Sequence, residues 1–167
     1  MHPYTLIAFL ALAAASTAQA QPSPSPEELA AIRAERANII VGVWDSQVVL
    51  GPCAGAAGPT RRFRGLNTFH LGGTLSDTNS APPGSRGPGM GTWDYDLTRR
   101  VHRARMTFFR YLPDGSFDGT AEVHRDITLS ADGNQSTEVA YARAIRADGS
   151  LLGESCGSVT GRRIAVE

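Results

Sequence analysis

The sequence predicts an all-β fold: a closed, antiparallel, up-and-down barrel of seven or eight strands, with a short N-terminal α-helix plugging one end. Three observations carry this. From position 41 onward the chain reads as alternating apolar and polar runs separated by Gly, Pro, Asn and Asp, the pattern of strands and turns. Three of the turns share an x-Asp-Gly core, at Pro113-Asp114-Gly115, Ala131-Asp132-Gly133 and Ala147-Asp148-Gly149, where Gly accepts the positive φ of a tight hairpin. The two cysteines, Cys53 and Cys156, fall just after the first strand and early in the last. If those strands pair antiparallel, the cysteines meet and a disulfide fastens the barrel seam. Closure also removes the exposed sheet edges that long strands would otherwise present.

Each element has its own justification. Residues 1–20 read as a secretory signal peptide: Leu6 to Ala15 is an apolar run too short to span a bilayer, and Ala18-Gln19-Ala20 is an A-x-A cleavage site. The expected product is periplasmic or secreted, with no membrane span. In that oxidising setting an even pair of cysteines forms one disulfide most simply. Residues 21–26 (QPSPSP) form an extended linker. A helix over 27–40 follows, with Ser25 as N-cap, Pro26 at the first helical position and Glu28 closing a capping box. Leu29, Ile32, Arg36, Ile39 and Ile40 recur at helical spacing and give it one face for a core. The barrel domain occupies 41–167, with strands expected at 41–50, 63–78, 91–97, 101–112, 117–129, 135–145 and 151–164. The second of these is bent at Gly72-Gly73.

Composition excludes several functions. The 16 basic residues balance 16 acidic ones, which argues against a nucleic-acid partner. Every basic residue is Arg, so Schiff-base and P-loop lysine chemistry is ruled out. His70, His102 and His124 show no ligand spacing, and neither a metal nor another cofactor is expected. The Gly87 to Gly91 run lacks the helix and lysine of a phosphate loop.

The helix leading into Gly42-Val43-Trp44 resembles the entrance to lipocalins and related calycin barrels, whose first strand opens on G-x-W. The resemblance implies that Gly42 and Trp44 are structural and that Trp44 packs at the plugged base. It further implies that an Arg from the end of the barrel, Arg162 or Arg163, lies across the indole. The chain departs from standard lipocalins in lacking a T-D-Y motif and a helix after the last strand. Its Gly72-Gly73-Thr74-Leu75 segment, Pro/Gly loop and Gly91-Thr92-Trp93 are more similar to small secreted, lipocalin-like bacterial proteins of unassigned function.

The interior is where function should reside. In 117–129, Phe117, Gly119, Ala121, Val123, Arg125, Ile127 and Leu129 share the apolar face. A buried Arg125 needs a partner, either a carboxylate such as Asp45 or an anionic ligand. A three-residue loop at Ala131-Asp132-Gly133 sets Val139 opposite Arg125 and turns Tyr141 and Arg143 inward; a two- or four-residue loop brings in Ala140 and Ala142 instead. In 101–112 one register buries His102, Met106, Phe108 and Arg110, and the other Arg105, Thr107, Phe109 and Tyr111. A cavity with several Arg, a Tyr and aromatic walls suits an amphipathic anion, an acid with an apolar body. The expected ligand-binding set is therefore Arg125, Tyr141, Arg143, Arg110, Phe108, Met106, His70 and Arg86. Arg86 sits in the irregular loop 79–91, a lid or a plain connector. The leading expectation is an exported barrel binding a small apolar or amphipathic molecule. One alternative is a cofactor-free isomerase or cyclase with His70 and Tyr141 as catalytic candidates beside interior Arg. The other is a structural envelope domain with a filled core.

Overall fold

A computed structural model describes residues 23–53 and 57–165; the expected signal peptide lies outside them. Helix α1 (Pro26–Asn38) starts at the expected capping box, with the Glu28 amide donating to Ser25 Oγ at 3.2 Å and the Ser25 amide to the Glu28 carboxylate at 2.7 Å. Eight strands follow: β1 (Gly42–Gly51), β2 (Arg61–Phe69), β3 (Thr74–Asn79), β4 (Gly89–Asp96), β5 (Val101–Tyr111), β6 (Phe117–Leu129), β7 (Gln135–Arg146) and β8 (Leu151–Arg163). Each pairs antiparallel with the next, and β1 pairs with β8, so the barrel closes in sequence order.

Where seven strand segments were expected, eight form because the Gly72-Gly73 bend is a complete hairpin turn. Both glycines take positive φ, +93° and +88°, a conformation open to Gly at little cost. The single run read at 63–78 thereby becomes β2 and β3.

The seam matches the expectation. Gly51 pairs with Cys156 across β1 and β8, and Cys53 is disulfide-bonded to Cys156 with Cα atoms 4.7 Å apart. The β2–β3, β4–β5 and β6–β7 turns gather at the α1 end, and the other connections at the opposite, open end.

The α1 end is sealed by an apolar core of Ile40, Trp44, Phe69, Leu75, Trp93 and Ile127. The helix itself contributes little. Leu29 and Ile32 are 41% and 42% exposed, and the plug consists of the last turn: Ala37 packs on the core and Ile40 is fully buried. Trp44 donates its indole N–H to the Ile40 carbonyl at 2.9 Å. Of the two arginine candidates, Arg163 lies over the Trp44 ring at 4.5 Å, while Arg162 is exposed. The Arg163 guanidinium donates to the carbonyls of Ile39, Val41 and Gly133, tying α1, β1 and the β6–β7 turn together. Gly42 leaves room for it: a Cβ there would lie 2.6 Å from Arg163 Nη1, and the Gly42 φ is +139°.

Candidate functional site: a polar belt beneath an open mouth

Alternation along the strands sets which residues reach the interior, and hairpin register sets which of them meet. The β6–β7 connection is a four-residue loop, with Ser130 and Gln135 hydrogen-bonded across it and Arg125 opposite Ala140. The Ser130 hydroxyl accepts from the Gln135 amide at 2.9 Å and holds this longer turn. Relative to the three-residue reading, every side chain of β7 changes face. Val139 is 71% exposed and Ala140 3%.

Tyr141 and Arg143 accordingly lie on the outer wall, correcting the expectation that they line the interior. The Tyr141 hydroxyl donates to the Glu154 carboxylate, an interaction that raises the Tyr141 pKa. Arg143 stands 3.9 Å from the same carboxylate. The same register turns Ser136 and Glu138 inward.

His70 also falls elsewhere. It lies at the β2–β3 turn on the sealed end, exposed, its Nε2 3.0 Å from Ser76 Oγ. The hairpin that replaced the expected bend carried it there. His70, Tyr141 and the interior arginines therefore do not form one acid–base constellation.

Strand β5 takes the register that buries His102 and Met106 and turns Phe108 and Arg110 toward the interior. Arg125 on β6 is buried, as its place on the apolar face requires, but its partner is Glu138, not Asp45. Nη1 of Arg125 is 3.2 Å from Glu138 Oε2, with the two side chains 4% and 3% exposed. Asp45 is paired with Arg64 instead, whose hydrogen bonds hold its pKa low.

Arg86 reaches in from the 80–88 loop. It donates to Asp77 Oδ1 at 2.6 Å and stacks 3.8 Å over the Phe108 ring. The Gly87 amide, bonded to the Phe109 carbonyl at 2.9 Å, fixes the loop against β5. Burial raises the Asp77 pKa, opposed by Arg86 and Arg125. Arg110 pairs with Asp118. The expected cationic interior is thus neutralised: Arg86, Arg110 and Arg125 each face a carboxylate.

Ser46, Asn67, Asp77, Arg125, Ser136 and Glu138 are all buried and form a polar belt across the barrel above the apolar core. Over the belt is a cavity of about 90 Å³ with Val48, Leu50, Phe63, Met106, Phe108 and Ala142 in its walls and Asn67, Asp77 and Arg125 among its polar lining. Beyond it, toward the open end, is a cleft of about 880 Å³ bordered by Pro52, Arg61, Arg62, Pro82, Arg110 and Tyr111. Leu50, Phe63, Asn79, Arg86 and Phe108 line both spaces, so the two adjoin. Within the belt, Arg125 Nε and Nη2 and Asn67 Oδ1 have no hydrogen-bond partner among the described residues.

Sequence reasoning missed Asn67, Asp77, Glu138 and Phe63. The first and last were legible, because alternation in 63–69 puts Phe63, Gly65, Asn67 and Phe69 on one face. Glu138 required the four-residue loop, and Asp77 required the β2–β3 hairpin. No group of His, Cys, Asp and Glu among the described residues is arranged to hold a metal ion, and no helix among them is long and apolar enough to cross a membrane. No known protein family matches the chain, and no curated protein is similar enough to it to count as a relative.

Proposed function

We propose that this chain is an exported binding barrel that takes a small amphipathic molecule through its open end. The observation that carries this is the cleft of about 880 Å³ adjoining a smaller apolar cavity of about 90 Å³ inside the barrel. The cleft lies within the roughly 300–1,000 Å³ range of small-molecule pockets. Aromatic and aliphatic walls at Leu50, Phe63 and Phe108 accept an apolar body, and the belt beneath offers unsatisfied polar atoms to one end of it. The leader expected at residues 1–20 and the Cys53–Cys156 disulfide support the export half of the reading. Arg86, Arg110 and Arg125 each face a carboxylate, so the belt itself does not call for an anion.

Titration with the neutral fluorescent probe N-phenyl-1-naphthylamine tests the reading. The wild-type chain should enhance probe emission saturably. Ala142→Leu, which fills the inner cavity from β7, should weaken binding about tenfold while costing at most about 1–3 kcal/mol of stability. Native mass spectrometry of the exported protein should show a co-purified small molecule. Saturable binding that Ala142→Leu leaves untouched would place the probe outside the barrel and defeat the proposal.

A further inference from the structure

The polar belt carries charge in a particular order. Arg86 is bound to Asp77, Asp77 also feels the attraction of Arg125, and Arg125 is bound to Glu138. Two cations and two carboxylates alternate and cancel. The belt is nevertheless unsatisfied at both donors and acceptors; one acceptor, Glu138 Oε2, faces Arg125 Nη1 at 3.2 Å as an ion pair without a hydrogen bond among the described residues. Arg125 is 4% exposed at its side chain yet leaves the Nε and Nη2 donors unpartnered among the described residues. Asn67 is 2% exposed; its Nδ2 donates to Ser46 Oγ at 3.0 Å, and its Oδ1 acceptor is unpartnered. Both residues line the inner cavity. Atoms left without a partner in a low-dielectric interior are destabilising, more so on a charged group.

We infer that Arg125 and Asn67 seat the polar end of the ligand, and that this end is an uncharged group able both to accept and to donate a hydrogen bond: a primary amide or a hydroxyl. The inference rests on the binding reading above and specifies its ligand. An amide oxygen accepts from Arg125 while its N–H donates to Asn67 Oδ1; a hydroxyl does both through one atom. A carboxylate has acceptors only. It would set lone pairs against Asn67 Oδ1 and add a third negative charge to a belt already holding Asp77 and Glu138. An ammonium would face Arg125. The inner cavity, at about 90 Å³, is several times the roughly 10–15 Å³ that admits a single water. That is room for a head and its first carbons, with the apolar remainder lying between Phe63 and Phe108 toward the cleft.

The experiment is displacement of N-phenyl-1-naphthylamine, at neutral pH, by four compounds of one chain length: octanamide, 1-octanol, octanoate and octylamine. Octanamide and octanol should displace the probe at concentrations about tenfold below octanoate and octylamine. Asn67→Leu should raise the octanamide and octanol midpoints about tenfold and leave octanoate unchanged. The paired replacement of Arg125→Met with Glu138→Leu removes both buried charges together and so keeps the fold accessible; it should abolish the same preference. Octanoate competing as well as octanamide in the wild type would overturn the inference, as would a preference that survives both variants. Either result leaves the binding reading standing. A chain that binds neither the probe nor any of the four compounds overturns the binding reading, and the inference with it.

Discussion

His102 illustrates how one side chain can serve both the core and its seal. It points inward from β5, 4% exposed, with the Tyr95 ring 4.8 Å away. Its Nε2 lies 3.2 Å and 3.1 Å from the carbonyls of Arg36 and Ala37. Both carbonyls accept, so Nε2 carries the proton, and the neutral ring satisfies orphan groups at the C-terminus of α1. Burial lowers the His102 pKa, partly offset by those carbonyls and by Asp94. On acidification the unfolded chain therefore takes up this proton first. The stability owed to a neutral His102 is whole above the unfolded value of about 6.5 and is lost as pH falls through the lower folded value. Thermal midpoints should decline as pH falls below about 6.5, and His102→Gln, which keeps an N–H toward the helix, should flatten that decline. An undiminished slope in the variant would place the effect elsewhere. The Asp45 carboxylate, held low by Arg64, belongs to a more acidic window, below its unfolded value of about 3.9.

Among the elements, α1 and the strand it leads into differ sharply in what they hold. The helix has a complete capping box and acidic residues in its first turn, yet none of its residues is buried. Its local signals are sufficient to start a helix, and they say nothing about whether the helix docks. Ile40, just past its end, is fully buried against the core. Ser25→Ala should therefore speed amide hydrogen exchange within α1 and leave the barrel's unfolding midpoint nearly unchanged. Ile40→Ala should cost about 2–5 kcal/mol in denaturant unfolding. A larger loss from Ser25→Ala than from Ile40→Ala would mean that the helix itself, not its last turn, seals the barrel.

At the scale of the whole molecule, closure depends on the β1–β8 ladder, which pairs eight residues from Trp44 to Gly51 with Arg163 to Cys156. The Cys53–Cys156 bond adds a covalent tie at the open end of that ladder, across a sequence separation of 103. Because a loop of this length loses much of its freedom in the unfolded chain, reduction should cost up to about 4–5 kcal/mol. Urea midpoints with and without dithiothreitol, checked against the Cys53→Ser/Cys156→Ser double variant, measure it. The ladder's own hydrogen bonds should keep the barrel closed, so circular dichroism in water should hardly change. Loss of strand signal on reduction would show that the disulfide, rather than the ladder, closes the fold.

Local chemistry and strand order determined the helix start at Ser25, the Asp-Gly turns, the alternating faces of β6, the inward place of Arg125 and, given a closed barrel, the meeting of Cys53 with Cys156. Each depends on near neighbours in the chain or on the order of strands. Tertiary structure decided which side chains face one another. A single extra residue in the β6–β7 loop sent Tyr141 and Arg143 outside and brought Glu138 to Arg125. A turn at Gly72-Gly73 in place of a bend carried His70 to the sealed end and set Asp77 within reach of Arg86. Side chains alternate with period two, so register converts a one-residue difference into an exchange of inside for outside. The charge of the interior is a property of such cross-strand meetings, and no count of arginines along the sequence contains it.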